Sequence, residues 1–185
     1  NFGKTTVFGL SAELTQAVQW PVKTFKTFYN TSDVSAYFAE TTETYKLASR
    51  WFANKGGELY IYLRDETNDS AVQSANDARG KKWFYNNLWT KDATSEKDSV
   101  IALADWSDAN GSFMWMASDS ADVADENKTD DIASVILAKG TRHIAIGYRQ
   151  AASVATDSSQ IYFMAGLAAE FAKVNYSGLQ TAITG

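Results

Sequence analysis

The chain predicts an α/β domain, a mainly parallel and doubly covered sheet of about five to six strands with helices on both faces. Three observations lead there. Thr42 to Asp65, TETYKLASRWFANKGGELYIYLRD, reads as an amphipathic helix, a two-glycine stop and a strand apolar on both sides. The same alternation of helix and strand recurs down the chain, which implies right-handed crossovers between parallel strands. At 185 residues and 45% hydrophobic content, the chain is large enough for one domain that buries about two thirds of its unfolded surface. No linker-like change of composition divides residues 1–185, so a single domain is expected.

Taken in order, Thr5 to Leu10 (TTVFGL) predicts a first strand, and Val22 to Tyr29 a second after the only proline, Pro21. Ser32 followed by Asp33 marks a short helix leading into Val34, Tyr37 and Phe38. In the next helix Tyr45, Ala48 and Phe52, with Leu47 and Trp51 beside them, form the apolar side, while Glu43, Lys46, Arg50 and Asn54 form the wet one. Gly56 and Gly57 can adopt the left-handed conformation that closes a helix. Leu59 to Leu63 is apolar on both alternating faces, as a strand in mid-sheet requires.

Ser70 to Arg79 carries Ala71, Val72, Ala75 and Ala78 at helical spacing and ends near Gly80. Lys82 to Trp89 (KWFYNNLW) predicts a strand in which Asn86 and Asn87 form an interruption. Ser95 with Asp98 resembles a capping box for a helix bearing Val100, Leu103, Ala104 and Trp106 and stopping at Asn110-Gly111. Phe113 to Ala117 (FMWMA) is a second doubly buried run. Thr129, Asp130 and Asp131 start a helix with Ile132, Val135 and Ile136 that stops at Gly140, before the strand His143 to Tyr148. Asp157 to Val174 predicts a last helix, with a short returning strand after it. Its small residues Ala165, Gly166, Ala168, Ala169 and Ala172 imply close approach to the sheet or to another subunit.

Composition excludes several functions. There is no cysteine, hence no disulfide and no thiolate metal site. A net charge of −5 with interspersed signs disfavours nucleic acid as a partner. No apolar run approaches the roughly 20 residues of a membrane span, and membrane insertion is not expected. The opening Asn1-Phe2-Gly3-Lys4 has neither a signal peptide's core nor an initiator methionine, so a fragment of a longer chain is expected.

Catalytic signatures are sparse. Gly3-Lys4-Thr5 copies the end of a phosphate-binding loop, but a β-branched and aromatic strand follows where a helix is needed. No GxGxxG follows a strand. Asp65, Glu66 and Asp119 stand just after strands, where open α/β sheets place ligands, yet Asp119, Asp122 and Asp125 lack the alternate-residue spacing of a calcium loop. Asp105-Trp106-Ser107 is a broken fragment of a DxSxS metal site, and helix-start charges with a solvated loop account for these acids. His143, the only histidine, opens a strand at the end opposite to such catalysis, with no GxSxG elbow. The six tryptophans and nine tyrosines fall mainly in strands and helix stripes, as core packing or an interface requires. Neither a catalytic, a cofactor-binding nor a metal residue is assigned.

The order of motifs DVSAYFAETTETYKLASRWF, ELYIYLRD, WFYNNLW, ALADWSDANGSFMWMASDSADV, DDIASVILAKGTRHIAIGYRQ and MAGLAAEF resembles the contractile tail sheath proteins of myovirus-type bacteriophages, in a branch long catalogued as phage proteins of unknown function. The likeness runs from about Thr5 to Gly185, although such proteins often carry prolines where this chain has Lys55-Gly56-Gly57. The resemblance implies a non-enzymatic structural subunit that forms a helical array around the tail tube and contracts to drive the tube through the host envelope. It also implies a virion component assembled in the bacterial cytoplasm, whose partners are identical subunits, tail tube and baseplate. Terminal arms that add strands to neighbours would lie beyond this stretch, which is then expected to be monomeric alone. The competing expectation is a metal-dependent α/β hydrolase using Asp65, Asp119 and Asp122.

Overall fold

The computed structural model describes residues 2–15 and 19–174. In chain order these form β1 (Thr5–Leu10), β2 (Phe25–Phe28), α1 (Thr31–Ser35), α2 (Glu43–Ala53), β3 (Leu59–Arg64) and α3 (Ala71–Lys81). They continue with β4 (Asn86–Trp89), α4 (Lys91–Thr94), α5 (Lys97–Asn110), β5 (Phe113–Ser118), α6 (Ile132–Lys139), β6 (Ile144–Tyr148), α7 (Ala151–Thr156) and α8 (Phe163–Ala172). Short 3-10 turns cover Ser11–Glu13, Ala121–Ala124 and Ser158–Tyr162. The α/β class and the mainly parallel, doubly covered sheet are as the alternation predicts.

The strands lie in the order β2-β3-β1-β4-β5-β6. Every pairing is parallel except β2 with β3, where Phe25 faces Tyr62 and Phe28 faces Leu59. The chain passes from β1 to the edge strand β2, returns inward to β3, then crosses β1 to β4 and moves on to β6. The reversal between β1 and β4 is the topological switch point of a doubly wound sheet.

Alternate strand residues feed two cores. One joins Val7, Ile61, Leu88 and Trp115 to Leu47, Ala48 and Trp51 of α2 and to Met164, Ala165 and Ala168 of α8. The other joins Phe8, Tyr62, Met114 and Met116 to Ala75 and Ala78 of α3, Leu103 of α5 and Ile136 of α6. Phe8 stacks on Trp89 at 3.8 Å between centroids, with the rings nearly parallel. The small face of α8 packs within the molecule: a Cβ on Gly166 would come within 2.5 Å of the Asn54 side chain at the end of α2.

Several local expectations change in three dimensions. The second strand is limited to Phe25–Phe28, since Lys23 adopts φ 62° and turns the chain before it. The buried face of α2 is Thr44, Leu47, Ala48 and Trp51, leaving Tyr45 and Phe52 at its margin. The left-handed residue after α2 is Lys55, at φ 56°, rather than Gly56 or Gly57. Gly56 serves another purpose, because any Cβ there would overlap the indole of the fully buried Trp51, which donates to the Gly57 carbonyl at 3.0 Å.

Asn86 and Asn87 belong to β4 and do not interrupt it. Asn86 donates to Phe2 O and Thr5 Oγ1 and accepts from Trp115 Nε1, while Asn87 donates to Ser107 and Ser112 and accepts from Trp89 Nε1. With all these partners supplied, burial of two amides in mid-strand becomes tolerable. Ser95 closes α4 instead of capping α5, whose N-cap is Glu96. The predicted last helix is two pieces, the 3-10 turn Ser158–Tyr162 and α8, with the separate α7 before them. The predicted returning strand lies outside the described residues.

Candidate functional site

A parallel sheet of this order gathers ligands beyond the carboxyl ends of its strands. Here that end is occupied by the chain's own carboxylates. α2 begins beside the end of β1, held there by a hydrogen bond from Leu10 N to Thr44 Oγ1 at 3.1 Å. A Cβ on Gly9 would sit 2.8 Å from Thr44 Cγ2, so the strand and helix meet closely. The first amides of α2 point to where a doubly wound protein would take an anion. Glu13, from the turn after β1, fills that place: its Oε1 accepts from Glu43 N at 2.7 Å and its Oε2 from Thr44 N at 2.9 Å.

Two further glutamates repeat the arrangement. Glu66, just after β3, accepts from Ser11 N at 3.1 Å, Ser11 Oγ at 2.9 Å and Ala12 N at 2.8 Å. Burial alone would raise its pKa, but the hydrogen bonds from Ala12 and Ser11 outweigh that and hold it below the usual glutamate range. Glu43 accepts from Lys91 N, just after β4, at 2.7 Å, and hydrogen-bonds to the Tyr162 hydroxyl. Burial, followed by the Glu43 carboxylate, pushes that phenol above its ordinary range. Three carboxylates thus link the ends of β1, β3 and β4 to α2 and to the Ser158–Tyr162 turn.

Beside them lies an open cleft of about 370 Å³ at the ends of β4 and β5, lined in part by Lys91, Glu96, Ser118, Asp119, Asp122 and Asp131. Its floor is an ion pair, Lys91 Nζ to Asp119 Oδ2 at 2.7 Å. Asp122 is 3.7 Å from Lys128 Nζ, and Asp131 caps α6 through Ala133 N and Ser134 N. Asp65 does not line the cleft; it accepts from Asn68 Nδ2 and lies 3.9 Å from Lys23 Nζ. Among the described residues, no group of three His, Asp or Glu side chains is placed to hold a metal ion.

The remaining sequence candidates are structural. Lys4 pairs with Glu58 at the amino end of the sheet, away from the position of a phosphate loop, and Thr5 is buried within β1. His143 Nδ1 lies 2.7 Å from Asp108 Oδ1, and the same carboxylate accepts from Arg142 N and His143 N, tying α5 to the start of β6. Asp105 pairs with Lys139, while Trp106 and Ser107 are buried in α5. Sequence reasoning missed Glu13 and Glu43. No local pattern announces them, since each caps amides at least 30 positions away.

An apolar groove opens at the opposite end of the strands, lined by Phe2, Tyr85, Phe113, Trp115, Ala145 and Phe171. No helix among the described residues is long and apolar enough to cross a membrane. No protein-family model matches the chain, and no curated protein matches it.

Proposed function

We propose that this chain is the core domain of a structural subunit of a contractile phage tail sheath. The observation that carries the structural half of this reading is the self-filled carboxyl end of the sheet. Glu13, Glu43 and Glu66 already satisfy the amides that a doubly wound enzyme would offer to a phosphate or other anion. The order of sequence motifs supports the sheath half. The partners are then identical subunits, the tail tube and the baseplate, and the protein acts in the virion through its surfaces. Contraction would draw on an extended array relaxing into one with better subunit contacts, a bistable assembly of rigid domains.

Electron microscopy of the intact parent protein tests this reading. Regular tubes are the expected outcome, and a parent that stays a small globular species under every assembly condition overturns it.

A second reading, a metal-dependent hydrolase, is favoured by one observation: Asp119 and Asp122 share a cleft at the end of the sheet. A divalent ion that binds the native state alone must raise the melting temperature. The structural reading expects no shift with millimolar magnesium or calcium. A rise abolished by Asp119→Asn would favour the hydrolase.

A further inference from the structure

Because β3, β4, β5 and β6 run in parallel, the connections between them each leave at the carboxyl end of the sheet and re-enter at the amino end. Charge is divided between those ends. The segment after β5 carries Asp119, Asp122, Asp125, Glu126, Asp130 and Asp131 against a single cation, Lys128. Glu96 and Asp98, after β4, extend this acidic end and make no ion pair among the described residues, while the cations beside them, Lys91 and Lys97, reach Asp119 and the Asp130 carbonyl. The amino end carries cations: Lys55 before β3, Lys82 before β4 and Arg142 before β6. Lys55 and Arg142 are exposed and have no ion pair among the described residues. Lys82 lies over the Tyr60 ring at 3.6 Å and makes no ion pair among the described residues, although its charge helps to lower the pKa of the Glu58 carboxyl nearby.

Helix dipoles explain part of this division, since helices that begin at the carboxyl end favour acids there. Asp131 serves in that way as the cap of α6. Asp125 and Glu126 do not: both are exposed and neither caps a helix N-terminus, Asp125 holding only the local turn through Asn127 N. The net negative charge of this end therefore remains after those local uses, with the exposed Glu126 free of any cap or ion pair among the described residues, and the opposite end presents the complementary sign.

We propose that copies of this chain dock head to tail along the strand direction, the acidic segment after β5 of one copy against Lys55, Lys82 and Arg142 of the next. The choice of a second copy as partner rests on the assembly reading above. Two different surfaces meet, so the contact is heterologous and propagates instead of closing as a two-fold dimer. It is also sensitive to salt, because the screening length falls from about 30 Å at 0.01 M to about 3 Å at 1 M ionic strength.

Sedimentation velocity on the 185-residue chain tests the contact. At low salt and high protein concentration the sedimenting species grows beyond a dimer, where the family resemblance by itself expects a monomer, and high salt returns it to a monomer. The variants D125K/E126K and K55E/R142E each reverse one end at exposed positions, and each stays monomeric at low salt with an unchanged circular dichroism spectrum. An equimolar mixture of the two regains association, because each reversed end meets its complement. Association that stops at a dimer, that persists in either variant alone, or that the mixture fails to restore overturns the proposal. A chain monomeric at every salt, alongside a parent that forms tubes, removes this contact but leaves the sheath reading. Salt-dependent stacking with a parent that never forms tubes supports the contact and removes the sheath reading.

Discussion

Replacing Glu66 by Gln removes one charge and one acceptor at the junction of β1 and β3. In the wild type Oε2 accepts from Ser11 N and Ser11 Oγ, and Oε1 accepts from Ala12 N. A glutamine has one acceptor oxygen, so whichever way its amide turns, an NH2 group faces a backbone N–H. Hydrogen bonds to a charged group contribute about 1.5–3 kcal/mol each, and a neutral one about 1 kcal/mol. Losing one and weakening another costs about 2–4 kcal/mol, since the Ser11 hydroxyl can rotate to accept from the new amide. For a chain of this length that lowers Tm by roughly 5–15 °C.

The pH dependence adds a second constraint on the same substitution. The folded-state pKa of Glu66 lies below its ordinary value of 4.5. Its stabilisation is therefore fully present above the unfolded value and is lost as pH falls through the folded one. Urea unfolding of wild type and Glu66→Gln across pH should show a constant gap near neutrality that narrows below about pH 4.5. Equal stability near neutrality, or a gap that stays unchanged well into the acid range, would refute the assigned hydrogen bonds.

Two other substitutions probe the same architecture. Glu13→Ala frees Glu43 N and Thr44 N; it should cost about 1–3 kcal/mol, and inorganic phosphate should then raise the variant's Tm beyond a chloride control of equal ionic strength while leaving the wild type unmoved. Phosphate binding to the wild type would contradict a self-filled switch point. Gly56→Ala drives a methyl into Trp51 and strains its bond to Gly57 O, so a loss of about 2–4 kcal/mol and a shift in tryptophan fluorescence are expected. Gly57→Ala meets nothing within 4 Å, and urea melts should find it neutral or stabilised by up to about 1 kcal/mol through the unfolded state.

Long, strongly patterned stretches were legible in the sequence because their signals are local. Leu59 to Leu63 is apolar on both faces, and all of β3 is buried in mid-sheet. Gly111 and Gly140, at φ 57° and 69°, close α5 and α6 where the stops were read. Asn86 and Asn87 were misleading for the opposite reason. A polar pair lowers strand propensity on its own, and only partners such as Ser107, Ser112 and Trp115 make its burial favourable. Gly56 was recognised as a special position for the wrong cause, since the crowding comes from an indole rather than from its own backbone angles.

The candidate site shows the same division more sharply. That carboxylates stand after the strands is written in the order of residues, and Asp65, Glu66 and Asp119 were visible on that ground. Whether such a group is free for chemistry depends on which amide or cation the folded chain brings to it, from 28 residues away for Lys91 and Asp119 and 55 for Glu66 and Ser11. By itself the sequence determined the alternation of elements, hence the α/β sheet and its two covered faces, because periodicity acts over a few neighbouring residues. Only the tertiary structure decided that the switch point is filled from within and that opposite charges gather at opposite ends, because both arise where distant segments converge.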